Sequence, residues 1–309
     1  MKKIATAHLI LLSIIISQIL LSFVMGVCNL RFPVIAALFV SQFVIVAPFA
    51  VYCIVKRENP LKIIRFKKIS VKSALFSVLI AWLSYPVVVF LNFLSMLFVE
   101  NAMENVMTQV LSFGALSGVF FMAFLPAVVE ETIFRGVLYN TYSKRRPLLG
   151  IIFSALLFGL MHMNFNQFPY ALYLGIVMAF LMEACDSILG PMIVHFTLNG
   201  TSTLLSYLVV GTVEGSSTNL SSMEPTMLLS AGVVYGIMAV IALTGVVLLV
   251  YAVFRMNNRK PSEIFRADHR DTAYLPGKDG NMRKNRMIDI FVILFMIYTL
   301  YCCITSAIV

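Results

Sequence analysis

Six polar side chains stand inside stretches that are otherwise apolar. They are Glu130, Glu131 and Arg135 in VVEETIFRG, His162 closing FGLMH, and His195 and Asn199 in HFTLN. Charged and imidazole groups at hydrocarbon depth are costly, so they face a cavity or a partner. Glu131 and Arg135 are four residues apart and share a helix face, the spacing of an internal ion pair. Glu130 is turned about 100° from Glu131 and is left free for chemistry on another wall of the bundle. Phe158 and His162 share a face one turn apart, as do His195 and Asn199. One carboxylate, two imidazoles and an amide from three helices can converge on one site. A carboxylate in a low-dielectric pocket can take a proton from water and return it to a leaving group. Glu130, His162 and His195 also match the ligand count of a catalytic zinc with an open position. Alternatively, Glu130 and His162 activate water while His195 and Asn199 donate to a developing oxyanion. Either route hydrolyses a peptide bond without a Ser or Cys nucleophile.

The elements that must position these groups are transmembrane helices. Sixty per cent of the 309 residues are hydrophobic and 12% charged, with a mean hydropathy of +0.93. A soluble domain is closer to a quarter charged, so a cytosolic enzyme, a disordered chain and a disulfide scaffold are excluded. About 20 apolar residues cross a bilayer. Stretches 4–28, 33–55, 73–99, 148–163, 168–184, 189–210, 226–254 and 287–309 qualify. A longer stretch, 108–142, carries Glu130, Glu131 and Arg135 and would be roughly 52 Å as one helix. Gly114, Gly118 and Pro126 offer places to bend or break it. The expectation is an all-α polytopic bundle of nine spans, with eight as the nearest competitor. The first stretch is too long for a signal-peptide core and lacks a cleavage site, so it reads as a retained span.

Charge placement orients the bundle. With the N-terminus cytoplasmic and nine spans, cytoplasmic loops hold 21 of the 23 basic residues. These are Lys2, Lys3, seven in 56–72, Lys144, Arg145, Arg146 and nine in 255–286. Only Arg31 and Arg135 fall elsewhere, and outer loops hold Glu100, Glu104, Glu214 and Glu224. This is a strong positive-inside bias. The net charge of +9 is therefore a topology signal with anionic lipid as its counterpart, and nucleic acid drops out. Loop 255–286 reads as a flexible connector.

Other polar residues have plainer readings. His8 lies near a span end where snorkelling is easy, and Glu183, Asp186 and Asp289 are read as solvated interfacial groups. Gln18, Gln42 and Asn92 are lone amides of the kind that join helices. Phe134 and Phe158 are read as packing residues. The five cysteines show no ligand spacing and read as small buried hydrophobes. Depth is a partial objection to convergence, which tilt and kinks can absorb: counted from the basic ends, Glu130 and His162 lie roughly 20 Å deep, Asn199 about 15 Å and His195 only about 9 Å.

Glu-Glu-x-x-x-Arg (130, 131, 135), Phe-x-x-x-His (158, 162) and His-x-x-x-Asn (195, 199), in this order on membrane helices, resemble the CAAX-protease and bacteriocin-processing (CPBP, Abi) family of intramembrane proteases. The family includes the eukaryotic CAAX prenyl endopeptidase. The resemblance spans roughly 120–205 and shows no departure at a motif position. It implies Glu130 as the catalytic glutamate, with His162, His195 and Asn199 completing the site. It leaves open a zinc-dependent or a metal-free glutamate mechanism. The expected organisation is a three-span region at 1–107, a catalytic core at 108–210, and two further spans at 211–309 around loop 255–286. The expected substrate is a membrane-associated peptide or protein at a bacterial plasma membrane, in bacteriocin or signal-peptide maturation or in self-immunity. Two other readings use the same residues: a proton-coupled transporter, which would call for inverted repeats that are not visible, and a non-catalytic immunity or scaffold protein.

Overall fold

A computed structural model describes residues 4–30, 32–101, 104–144, 146–210, 224–265, 274–276, 282–284 and 288–308. The helices are α1 (Ile4–Val27), α2 (Val34–Lys56), α3 (Pro60–Ile63), α4 (Val71–Met96), α5 (Glu104–Leu111) and α6 (Ala115–Tyr142). They continue with α7 (Pro147–Met161), α8 (Phe168–Cys185), α9 (Leu189–Val210), α10 (Pro225–Met256), α11 (Ser262–Phe265) and α12 (Ile290–Ile308). Local sequence explains several starts. Prolines occupy the first turn of α3, α7, α8 and α10, where a missing N–H costs nothing. Asn59 and Ser70 cap α3 and α4 with their side chains, supplying acceptors for otherwise orphaned N–H groups.

The chain is an all-α polytopic bundle. Among the described residues seven helices are long and apolar enough to cross a membrane: α1, α2, α4, α6, α8, α10 and α12. The α7 helix is shorter, 15 residues or about 22 Å, and pairs with α8 as a hairpin. Gly175 permits this pairing, because a Cβ there would lie 2.9 Å from the Ala155 Cα. Asn166 latches the hairpin tip to α4: its Nδ2 donates to Asn92 Oδ1 at 3.0 Å, and Ser95 Oγ donates to its carbonyl at 3.1 Å. Asn92 therefore joins helices, as its type suggested.

Burial ranks the helices by distance from the centre. The most apolar window is 50% buried in α8 and 44% in α6, against 22% in α1 and 17% in α2. Phe39, Phe43, Ile54, Val240 and Ile241 are exposed on the outer helices. In water such a surface would be a liability; facing acyl chains it is the expected finish. The site-bearing helices thus sit inside, ringed by helices that meet lipid.

One end of the bundle gathers the segments following α2, α8 and α10. Arg65 Nη2 lies 2.6 Å from Glu183 Oε1, and Arg65 Nη1 lies 3.3 Å from Asp186 Oδ1. Lys67 pairs with Asp186, and Arg259 with both Asp186 at 3.2 Å and Glu183 at 3.5 Å. Glu183 and Asp186 are therefore not simply solvated interfacial groups. They form the anionic centre of a network that ties three connecting segments together. Burial opposes the charged form of Asp186, but Lys67, Arg259 and Arg65 outweigh it and hold its carboxyl below the usual carboxylate range. A depressed folded-state value adds stability above the unfolded pKa, about 4, and that stability is lost as pH falls through the lower folded value. Asp186→Asn is expected to lower the unfolding free energy at pH 7 by at most ~1 kcal/mol, since half-exposed pairs are screened. Its difference from the parent protein should close below pH 4 in thermal melts; a difference that persists at pH 2.5 would contradict this assignment.

His8 also departs from expectation. It is fully buried, with Nε2 2.7 Å from the Tyr142 hydroxyl and Nδ1 2.7 Å from Asp289 Oδ2. A snorkelling reading fails because α12 and the end of α6 close over it, tying the first and last spans to the central helix. Loop 255–286 contains α11 and an antiparallel ribbon, β1 (Tyr274–Pro276) with β2 (Met282–Lys284). Within that loop residues 266–273, 277–281 and 285–286, and elsewhere Lys2, Lys3, Arg31, Arg145 and Glu214, lie outside the described residues.

Candidate active site

The central helix α6 is built from unusual backbone. Gly114, at φ +89°, adopts a conformation that only glycine takes without strain and separates α5 from α6. Residues 115–142 then form one continuous helix, so Gly118 and Pro126 do not break it. Two π-helical runs lie within it, Phe120–Phe124 and Thr132–Tyr139. Such wide turns are rare and concentrate at functional sites.

Pro126 has no N–H to give the Met122 carbonyl four residues back. Asn199 Nδ2 from α9 supplies the missing donor at 3.1 Å. The second π run is held from outside. A Cβ on Gly136 would lie 2.7 Å from Ile64 Cβ, so glycine lets the segment after α3 press against the helix. Asn140 Nδ2 donates to the Ile63 carbonyl at 2.6 Å.

Between the two π runs lie the glutamates. Glu131 is fully buried, and its Oε1 receives both Arg135 Nη1 at 2.9 Å and His195 Nδ1 at 2.8 Å. The expected Glu131–Arg135 pair is present in geometry, but it also carries His195. Because a carboxylate only accepts, Nδ1 of His195 must hold the proton, and the ring turns Nε2 away from Glu131. Sequence reasoning placed His195 too shallow to reach this group. Wide π turns rise less per residue than an α-helix, bringing Glu131 nearer the end from which α9 starts.

Phe158 is more than packing. The Arg135 guanidinium carbon lies 4.2 Å from its ring centroid, a cation–π contact. The same ring meets His162 edge-on at 5.0 Å and His195 at 6.1 Å. The spacing of Phe158 and His162 announced the contact between those two rings. The other two join separate helices and had no local signal. His162 Nδ1 donates to the Phe158 carbonyl at 2.9 Å, so its Nε2 is also left unspent.

Glu130 is half-buried and faces a different wall, where Gln42 Nε2 of α2 donates to its Oε1 at 3.1 Å. It is hydrogen-bonded to neither imidazole. The structure thus joins Glu131, Arg135, His195 and Phe158 directly, places His162 against the same ring, and orients Glu130 from α2. Asn199 is engaged with the backbone of α6. Gln42 is the site residue that sequence reasoning passed over; a lone amide in an apolar helix was its one signal.

The donor set was tested against a metal. Two imidazole Nε2 atoms are available, but among the described residues no three His, Cys, Asp or Glu side chains are grouped to hold an ion. Glu131 is committed to Arg135 and His195, and Glu130 to Gln42.

The family model described as type II CAAX prenyl endopeptidase Rce1-like matches residues 112–201. A curated relative, UPF0177 protein YajF of Lactococcus lactis subsp. lactis (strain IL1403), is 34% identical over 80 residues. That match covers 26% of this chain and 37% of the relative, so the chain spans little more than a third of it. No solved structure matches. The matched segment runs from the break before α6 to the middle of α9 and holds Glu130, Glu131, Arg135, His162, His195 and Asn199, though not Gln42. Over that segment, which holds all three motifs, the chain is similar to the Rce1-like type II CAAX prenyl endopeptidase family.

Proposed function

We propose that this protein is an intramembrane endopeptidase in which Glu130 activates water against a peptide carbonyl. The observation that carries the reading is the contrast between the two adjacent glutamates. Glu131 is sealed into an ion pair that orients His195, while Glu130 is half-exposed and turned to another wall with a single amide partner. A buried carboxylate with two cationic or N–H partners is structural; one with an accessible oxygen is able to exchange protons.

The reaction balances on these residues. Glu130 takes one proton from water as the water oxygen bonds to the carbonyl carbon. The carbonyl electrons move onto oxygen, where the second N–H of Asn199 stabilises the charge. When the carbon–nitrogen bond breaks, Glu130 returns its proton to the departing amine. His162 Nε2 orients the water. The products are a carboxylate and an amine, and no acyl-enzyme forms.

The gathered end of the bundle, with Arg65, Lys67 and Arg259, faces the cytoplasm of a bacterial plasma membrane and meets anionic lipid. The substrate is a membrane-associated peptide or protein approaching from that side. Maturation of a bacteriocin or signalling peptide, or self-immunity, are roles of this kind.

The test is hydrolysis of membrane-anchored peptides by the purified protein in liposomes made with ¹⁸O-water. The expected result is one ¹⁸O in each new carboxylate, with cleavage unaffected by serine- and cysteine-directed reagents. Activity should persist after treatment with a strong zinc chelator. Loss on chelation and restoration by zinc would overturn the metal-free route, and trapping of an acyl-enzyme would overturn the water mechanism.

A further inference from the structure

The buried stripe of α2 is Gln42, Ile45, Phe49 and Cys53, one side chain per turn along the face that meets the core. Three are apolar, and the fourth is an amide only 8% exposed. An amide withdrawn this far costs free energy unless its donors and acceptor are used. Nε2 is used on Glu130 Oε1 at 3.1 Å. Oε1 is buried with no hydrogen-bond partner. Gln42 therefore has one donor on the carboxylate and one idle acceptor beside it, and it lies outside the segment matched by the family.

Resting on the hydrolytic reading above, we infer that Gln42 is a positioning residue that holds Glu130 in both of its protonation states. While Glu130 is a carboxylate, Gln42 Nε2–H donates to Oε1 and leaves Oε2 directed at the water. Once Glu130 has taken the water's proton it becomes a carboxylic acid, an O–H donor. A half-turn of the Gln42 amide about its terminal bond then presents Oε1 as the acceptor. The atom that is idle in the resting state is the one the second half of the reaction needs. No bond is made or broken at Gln42, and the proton remains on Glu130 until the amine takes it. An apolar side chain at 42 would pack equally well against Ile45 and Phe49 but would leave the acid free to rotate away from the amine. Misplacing a catalytic group by about 1 Å can cost on the order of 100-fold.

The test compares Gln42→Met, close in volume and without either polar atom, with the parent protein and with Glu130→Gln in liposomes. The expected result is a 10- to 100-fold loss of kcat, a KM within twofold of the parent, and a thermal midpoint essentially unchanged. Gln42→Asn, which keeps the amide but withdraws it by one methylene, should lose kcat similarly and serves where Gln42→Met does not fold. Wild-type turnover by Gln42→Met, or a loss that falls on KM rather than on kcat, would overturn the positioning role. If Glu130→Gln itself cleaves at the parent rate, the hydrolytic reading falls, which is a separate result.

Discussion

Glu130→Gln is expected to abolish peptide cleavage while leaving the protein folded. The substitution keeps the size of the side chain and a polar partner for Gln42, but removes the base. General-base catalysis contributes roughly 10²- to 10⁴-fold, so the residual rate should fall by at least the lower figure and approach background. Stability should change little, because Glu130 is half-buried and makes one side-chain hydrogen bond, to Gln42. Surface-like changes of this kind remain within about 0.5 kcal/mol. The measurement is cleavage of a membrane-anchored peptide in liposomes, paired with a thermal melt and with proteomics of cells carrying the variant against deletion cells. Substrates that accumulate in both identify what the enzyme cuts. Cleavage at the parent rate would remove Glu130 from the mechanism.

Arg135→Met should be the most destabilising single change in the core. It leaves Glu131 fully buried with only His195 beside it, and breaking a buried pair in this way costs about 3–5 kcal/mol. The loss also removes the guanidinium from the Phe158 ring at 4.2 Å. The double variant Glu131→Leu with Arg135→Met removes both charges and should recover most of that stability, because an apolar pair of similar volume is often neutral or better. It should not recover cleavage. His195 Nδ1 would lose the 2.8 Å contact that sets which ring nitrogen faces the substrate. Stability and activity are therefore expected to separate across this series in chemical or thermal unfolding and peptide cleavage. If Arg135→Met unfolds within 1 kcal/mol of the parent, the pair is not the core element described here.

Particular residues show how far the sequence could be read. Unbroken apolar stretches dictate long helices because a backbone in lipid has no other way to satisfy its N–H and C=O groups. Helix ends follow from proline at first turns, from Asn59 and Ser70, and from charge blocks at the boundaries. The pairing of Glu131 with Arg135, and of Phe158 with His162, was legible because both are one-turn relations within a single helix. His8 and Asp186 were misread for the converse reason. Their partners, Asp289 and Lys67, are more than a hundred residues away, and nothing local reports that they are covered.

By itself, then, the sequence determined that this is a helical membrane protein with a few polar groups inside its apolar stretches. Composition and spacing suffice for that, since a charge in hydrocarbon is too costly to be incidental. Only the tertiary structure decided which neighbouring helices hold the two adjacent glutamates. Packing against α9 gave Glu131 a histidine, and packing against α2 gave Glu130 an amide. It also decided that Asn199 repairs the carbonyl freed by Pro126. These outcomes depend on π turns that alter the rise and phase of α6, and on contacts between helices remote in sequence, neither of which is encoded in any local pattern.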